Sequence, residues 1–183
     1  LPYRGNQGIY YPTQLSYSLE VKVKKEVEKA VLALGLYHGV AHVELGIVNN
    51  EPVLFEMGAR CGGGAIPDPI CTNVVGVNEF LTLVNLMTKG HGDYVKENFD
   101  VALYYYFVTP RPGKIREICG LDEIVEDRNV LDFAFFKEPG DIINDVKIGP
   151  DRSGFAVVKG KSGAEVFSKI RWIDNQLNIF YAN

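Results

Sequence analysis

Residues 40–64, VAHVELGIVNNEPVLFEMGARCGGG, constrain the fold more than any other stretch of the chain. Two apolar, β-branched runs, 40–48 and 52–57, flank Asn49-Asn50, and a glycine run closes the segment. Such runs around an Asn pair read as a β-hairpin. Side chains alternate across a strand, so His42, Glu44 and Gly46 share one face of the first strand. Leu54 and Glu56 share a face of the second, with Val53, Phe55 and Met57 opposite. Glu44 and Glu56 lie twelve positions apart. An odd-numbered loop, closing at Val48 and Pro52, puts the two glutamates directly opposite each other, whereas a two-residue loop separates them. Opposed Cβ atoms stand about 4.5–5.5 Å apart. Two carboxylates that close repel unless one protonates or a cation lies between them. A hard divalent cation with oxygen ligands, Mg²⁺ above all, meets that demand. Arg60 follows four residues after Glu56 and suits an anion beside the cation. A solvated hairpin whose glutamates face water explains the same residues without any metal.

Composition bounds the alternatives. A chain of 183 residues can bury roughly 70% of its unfolded surface, enough for one good core or two small ones. A net charge of −4 argues against nucleic acid as the main partner. No apolar run approaches the roughly 20 residues of a membrane span, so no membrane partner is expected. The N-terminal segment LPYRGNQGIYYPTQ has no apolar signal-like core. Cys61, Cys71 and Cys119 form an odd set without framework spacing, which points to a reducing, cytoplasmic setting. No C-x-x-C or clustered Cys/His pair suggests zinc.

Along the chain, residues 1–14 read as loop and short extended pieces. Residues 19–34 predict a helix with Val23, Val27, Val31 and Leu34 as its apolar stripe and Gly35 beyond its end. After the glycine run, 65–76 (AIPDPICTNVVG) reads as a loop with two prolines. A second helix is expected from Gly76 to about Thr88, with Asn78 as a cap and Val77, Phe80, Leu81, Val84 and Met87 at helical spacing. Beyond Asp100 the texture changes to strands at 101–108, 114–118, 130–137, 154–159 and 177–181. Ser162-Gly163-Ala164-Glu165 reads as a capping box opening a helix that carries Val166, Phe167, Ile170 and Ile173. Gly160-Lys161-Ser162 lacks the upstream glycine of a phosphate-binding P-loop, since Phe155 stands there.

Glu44, Glu56, Arg60 and the glycines Gly62, Gly63 and Gly64 together resemble the metal- and phosphate-binding end of the ATP-grasp superfamily. In that family one acid on a strand and a second in an E-x-N-x-R segment bind magnesium that bridges the ATP phosphates. The resemblance places Glu44 on the first acid, Glu56 on the second, and Arg60 on the arginine that contacts the acyl-phosphate or its carboxylate precursor. Gly58 stands where many members carry an asparagine as third metal contact. Thr72, Gly76 and Asn78 match the T-x-x-x-G-x-(D/N) pattern that often follows the glycine run.

What the resemblance implies is an α+β chain: the C-terminal half of an ATP-grasp fold, an antiparallel sheet with flanking helices, over 1–95, then a small antiparallel α+β subdomain over 96–183. Family members carry further subdomains ahead of such a segment, so the chain is expected to be the C-terminal portion of a longer enzyme, inactive alone. ATP and Mg²⁺, with Mn²⁺ as a substitute, are the implied cofactors. A small carboxylate and an amine are the implied substrates, and a homodimer is allowed. Glu44 and Glu56 are then the metal ligands and Arg60 the catalytic residue. Gly62, Gly63 and Gly64, with His42 lining the site, are the nucleotide contacts. The runs of glycine alone, a satisfied half-buried His42 and an Arg60–Glu56 surface ion pair remain the plainer readings of the same residues. Biotin carboxylases carry an acidic base a few residues after the arginine, where this chain has glycines, which favours an amino-acid or dipeptide-type ligase; a carbamoyl-phosphate-synthase-like member stays open. The rival is a scaffolding or nucleotide-binding domain that has lost turnover, favoured by Gly58.

Overall fold

The computed structural model describes residues 6–92, 100–107 and 111–182. They divide into two compact units, Thr13–Glu97 and Leu1–Pro12 with Asn98–Asn183. The described N-terminal residues up to Pro12 thus group with the later part of the chain and not with the hairpin that follows them.

In the Thr13–Glu97 unit, α1 (Tyr17–Ala33) precedes β2 (His42–Val48) and β3 (Glu51–Gly58), which form a two-stranded antiparallel sheet. β3 packs on α1. Lys22 of α1 bonds the Asn50 carbonyl at 3.1 Å and pairs with Glu51, tying the helix to the hairpin turn. Residues 65–76 are not the expected loop. Ile66–Val75 winds as a wide helical segment, broken at Asp68, whose φ of −154° and ψ of 130° are extended. Ile70 donates to the Ala65 carbonyl at 3.1 Å, one residue wider than an α-turn. Pro67, Ile70 and Val74 are buried. Their burial outweighs the two prolines that made the stretch read as a loop. Gly76, at φ 83°, ends the segment. α2 (Glu79–Lys89) begins three residues later than expected. Asn78 caps it as anticipated, its side chain accepting the Leu81 N–H at 2.9 Å.

The other unit contains a four-stranded antiparallel sheet in the order β1 (Gly8–Tyr11), β4 (Val101–Tyr106), β8 (Gly154–Gly160), β6 (Val130–Phe135), and a three-stranded sheet in the order β7 (Ile142–Ile143), β5 (Gly113–Cys119), β9 (Asn178–Tyr181). β1 pairs with β4, so the N-terminal extended piece is a true strand. β8 lies between β4 and β6. β5 lies between β7 and β9. The expected strand 101–108 ends at Tyr106, and its last residue lies outside the described residues. α4 (Gly163–Gln176) packs on β4 and β8. Val166, Ile170 and Ile173 meet Leu103, Phe107, Ala156 and Val158 in one buried cluster, which Ile124 of the short α3 (Leu121–Val125) joins. Phe167 is half exposed and stacks on Tyr10 with ring centroids 6.0 Å apart. The capping box is shifted by one donor: Ser162 Oγ accepts the Glu165 N–H at 3.3 Å, while Glu165 Oε2 accepts the Lys161 N–H at 2.8 Å.

Candidate metal and phosphate site

Asn49 and Asn50 both have positive φ, 52° and 60°. That pair of left-handed residues builds a two-residue turn whose twist matches the strands. The hairpin therefore closes at Val48↔Glu51, the two-residue alternative, and not at Val48 and Pro52. A regular ladder from that turn would pair Glu44 with Phe55. It does not, because the register shifts between Glu44 and Leu45. Leu45 pairs with Leu54, Phe55 is the extra residue, and Glu44 pairs with Glu56. A bulge of one residue thus restores the opposition that a two-residue loop alone would break. The Phe55 ring lies across Gly46, where a Cβ would come within 2.6 Å of its Cζ. A residue with any side chain at 46 would compete with that ring.

The two carboxylates face solvent, their side chains 57% and 68% exposed. His42 Nε2 lies 3.3 Å from Glu44 Oε1, and its ring is only 21% exposed. On the other side, Arg60 Nη2 stands 3.8 Å from Glu56 Oε1, an ion pair too long for a hydrogen bond. Arg60 is held by its own neighbourhood. Its N–H donates to the Gly58 carbonyl at 2.9 Å, and Nη1 donates to the Cys61 carbonyl at 3.0 Å. The arginine stem passes over Gly58, where an added Cβ would meet Cγ and Nε at 3.2 Å.

The glycine run follows, with its first glycine beside His42. Gly62 is tucked in: a Cβ there would sit 2.9 Å from Ile66 Cγ2 and 3.4 Å from His42 Nδ1. Its N–H donates to Glu79 Oε2 at 3.3 Å. Gly63 has nothing within 4 Å of its missing Cβ, and Gly64 takes φ 59°. Glu79 was not anticipated from sequence. Its other oxygen, Oε1, accepts from Cys71 Sγ at 3.1 Å. Burial first, and then the Glu79 carboxylate, push the Cys71 thiol up to about 12, so it is a protonated donor at neutral pH. Cys61 is pushed up by the same two causes in the same order.

The donor set fits a magnesium ion of one kind only. Among the described residues, no three His, Cys, Asp or Glu side chains cluster as a self-sufficient metal cage. Mg²⁺ does not require one, since it keeps several waters and is bound through one or two carboxylates plus substrate phosphates. Glu44 and Glu56, opposed and open to solvent, supply that minimum.

The family model for L-amino acid ligase C-terminal domain 2 matches residues 105–182. An L-amino acid ligase from Bacillus licheniformis superposes with a TM-score of 0.82 and 26% identity over 100% of this chain and 46% of its own. The chain is similar to the C-terminal portion of ATP-grasp ligases. Phosphoribosylglycinamide synthetase from Anaerococcus prevotii shares the fold, with a TM-score of 0.82 and 24% identity over 96% of this chain and 45% of that one. Dapdiamide A synthase from Enterobacter agglomerans is 26% identical over 115 residues, 60% of this chain and 27% of that protein. The chain spans less than half the length of each of these relatives. The α+β architecture expected from sequence is the one these ligases share. Among the described residues no single helix is long and apolar enough to cross a membrane.

Proposed function

We propose that this chain is the metal- and phosphate-handling part of an ATP-dependent ligase that activates a carboxylate as an acyl-phosphate and passes it to an amine. The observation that carries the reading is the Glu44↔Glu56 pairing, achieved through a bulge, with Arg60 and the glycine run immediately following. A bulge that exists to face two carboxylates costs stability unless a cation is drawn between them. Magnesium bound there would supply charge neutralisation to phosphates during transfer. Glu44 and Glu56 would hold it. Arg60, anchored by the Cys61 carbonyl, would offer its fork to the acyl-phosphate or the carboxylate that precedes it. His42 would orient Glu44 and border the glycines. Amino-acid and carboxylate–amine ligation among the relatives supports an amino acid as one substrate.

The test is ADP release by the full-length protein with Mg²⁺ across a panel of amino acids and other carboxylates paired with amines. Release that depends on both substrates and disappears in Glu56→Gln is the expected result. ATP consumption independent of any carboxylate would refute the ligase reading.

One observation favours a second reading, a nucleotide-binding domain without turnover. Position 58 offers no side-chain ligand, and the Arg60 stem fills the space where one would begin. On that reading Gly58→Asn gains metal affinity and raises activity from zero. On the ligase reading it displaces Arg60 and lowers activity.

A further inference from the structure

We propose that Glu79 is the positioning residue of the glycine run, fixing Gly62 through its backbone N–H so that Gly63 and Gly64 meet a nucleotide phosphate at a set distance from the Glu44–Glu56 pair. The inference rests on the ligase reading above and adds a residue that lies outside its acid–arginine–glycine segment.

Glu79 is the first residue of α2, and Asn78 fixes the start of that helix. Its carboxylate reaches back to two other segments. Oε2 takes the Gly62 N–H at 3.3 Å and Oε1 takes the Cys71 thiol at 3.1 Å. One side chain thus joins α2, the wide helical segment and the end of the hairpin. The anchored glycine is also the crowded one, wedged between Ile66 and His42, while Gly63 beside it stands open. His42 in turn touches Glu44. Glu79 thus bonds Gly62, Gly62 lies beside His42, and His42 meets Glu44 of the metal pair. Both Glu79 oxygens already accept from protein donors, so its charge is directed into the fold and away from an incoming phosphate. The Gly62 N–H is spent on this anchor, which leaves the following glycines for the ligand. Losing the acceptor of this part-buried backbone donor costs about tenfold in any equilibrium that needs the loop in place.

Three variants of the full-length ligase separate the roles. Glu79→Leu removes both acceptors at similar size. Glu79→Gln keeps an oxygen for the Gly62 N–H. Cys71→Ala removes only the thiol contact. The readouts are calorimetric binding of a non-hydrolysable Mg·ATP analogue and amide hydrogen exchange at Gly62. The expected result is faster Gly62 exchange and about tenfold weaker binding in Glu79→Leu. Glu79→Gln should recover most of both, and Cys71→Ala should stay within about twofold of wild type. A folded Glu79→Leu protein with unchanged Gly62 exchange, or with wild-type affinity, overturns the inference and leaves the ligase reading standing. A wild-type protein that does not bind the analogue removes the ligase reading itself, whatever Gly62 does.

Discussion

Asp127 shows how a single charge is set by its surroundings, in the unit that does not carry the candidate site. Burial pushes its carboxyl up, but the Lys169 ammonium at 2.7 Å and the Asn129 N–H at 2.9 Å outweigh that and hold it below its ordinary value of 3.8. Both side chains of the pair are about one-fifth exposed, so solvent screens the pair only in part. A carboxylate with a depressed folded value adds stability above its unfolded value and loses it as pH falls through the folded one. Asp127→Asn should therefore cost about 1–3 kcal/mol at neutral pH, because Lys169 is left half-buried without its partner. The cost should shrink below about pH 4, where the wild-type carboxyl begins to protonate. Urea unfolding of both proteins at pH 7 and pH 3 checks this. An equal difference at both values would mean that the charge is not what Asp127 contributes. At Gly154 the limit is steric. A Cβ there would lie 2.1 Å from the Ala134 carbonyl oxygen, a backbone atom that cannot swing aside. Gly154→Ala should destabilise by about 1–3 kcal/mol or more, read as a lower urea midpoint.

At the scale of elements, the hairpin is the instructive case. Its strands and its Asn turn were legible, and the pairing of Glu44 with Glu56 was legible only as one of two registers, the one that an odd-numbered loop would give. The route to that pairing was not. Nothing in PVLFEM marks Phe55 as the extra residue; the mark lies on the partner strand, at Gly46, where the Phe55 ring finds room. Cross-strand steric fit is invisible to a reading made one strand at a time. The wide helical segment failed for a related reason. Its two prolines advertise a loop locally, whereas Pro67, Ile70 and Val74 are buried, which local pattern does not show. Glu79 was missed because it acts across 17 positions on a backbone N–H, which leaves no residue pattern. The turn makes its own prediction. Asn50 sits at φ 60°, which a β-branched residue adopts at a cost of about 1–2 kcal/mol. Asn50→Val should loosen the hairpin, and Asn50→Gly should not. Amide exchange across β2 and β3 would show it, and similar protection in both variants would contradict the turn geometry.

Across the whole molecule, the two units differ in how much they bury. The sheet-and-α4 unit encloses a cluster of Leu103, Phe107, Ile124, Ala156, Val158, Val166, Ile170 and Ile173. In Thr13–Glu97, neither α1 nor α2 has a buried residue. Phe80, Leu81, Val84 and Met87 of α2 are exposed, as are Ile47, Val48, Val53, Leu54 and Phe55 of the hairpin. Local opening is easiest where few apolar groups are buried. Amides of β4, β8 and α4 should exchange slowest, and those of α1 and β2–β3 faster by orders of magnitude. Uniform protection would contradict this division of stability.

The central claim is that Glu44 and Glu56 form one cation site, and a paramagnetic ion tests it most directly. Mn²⁺ titrated into the protein, followed by NMR, should broaden the amides of Glu44, Glu56 and their strand neighbours first and at one common affinity. Glu44→Gln and Glu56→Gln should each weaken that affinity by tenfold or more, about 1.4 kcal/mol. Broadening spread over the acidic surface, with neither substitution changing it, would contradict the claim and return the pair to two solvated glutamates on a hairpin.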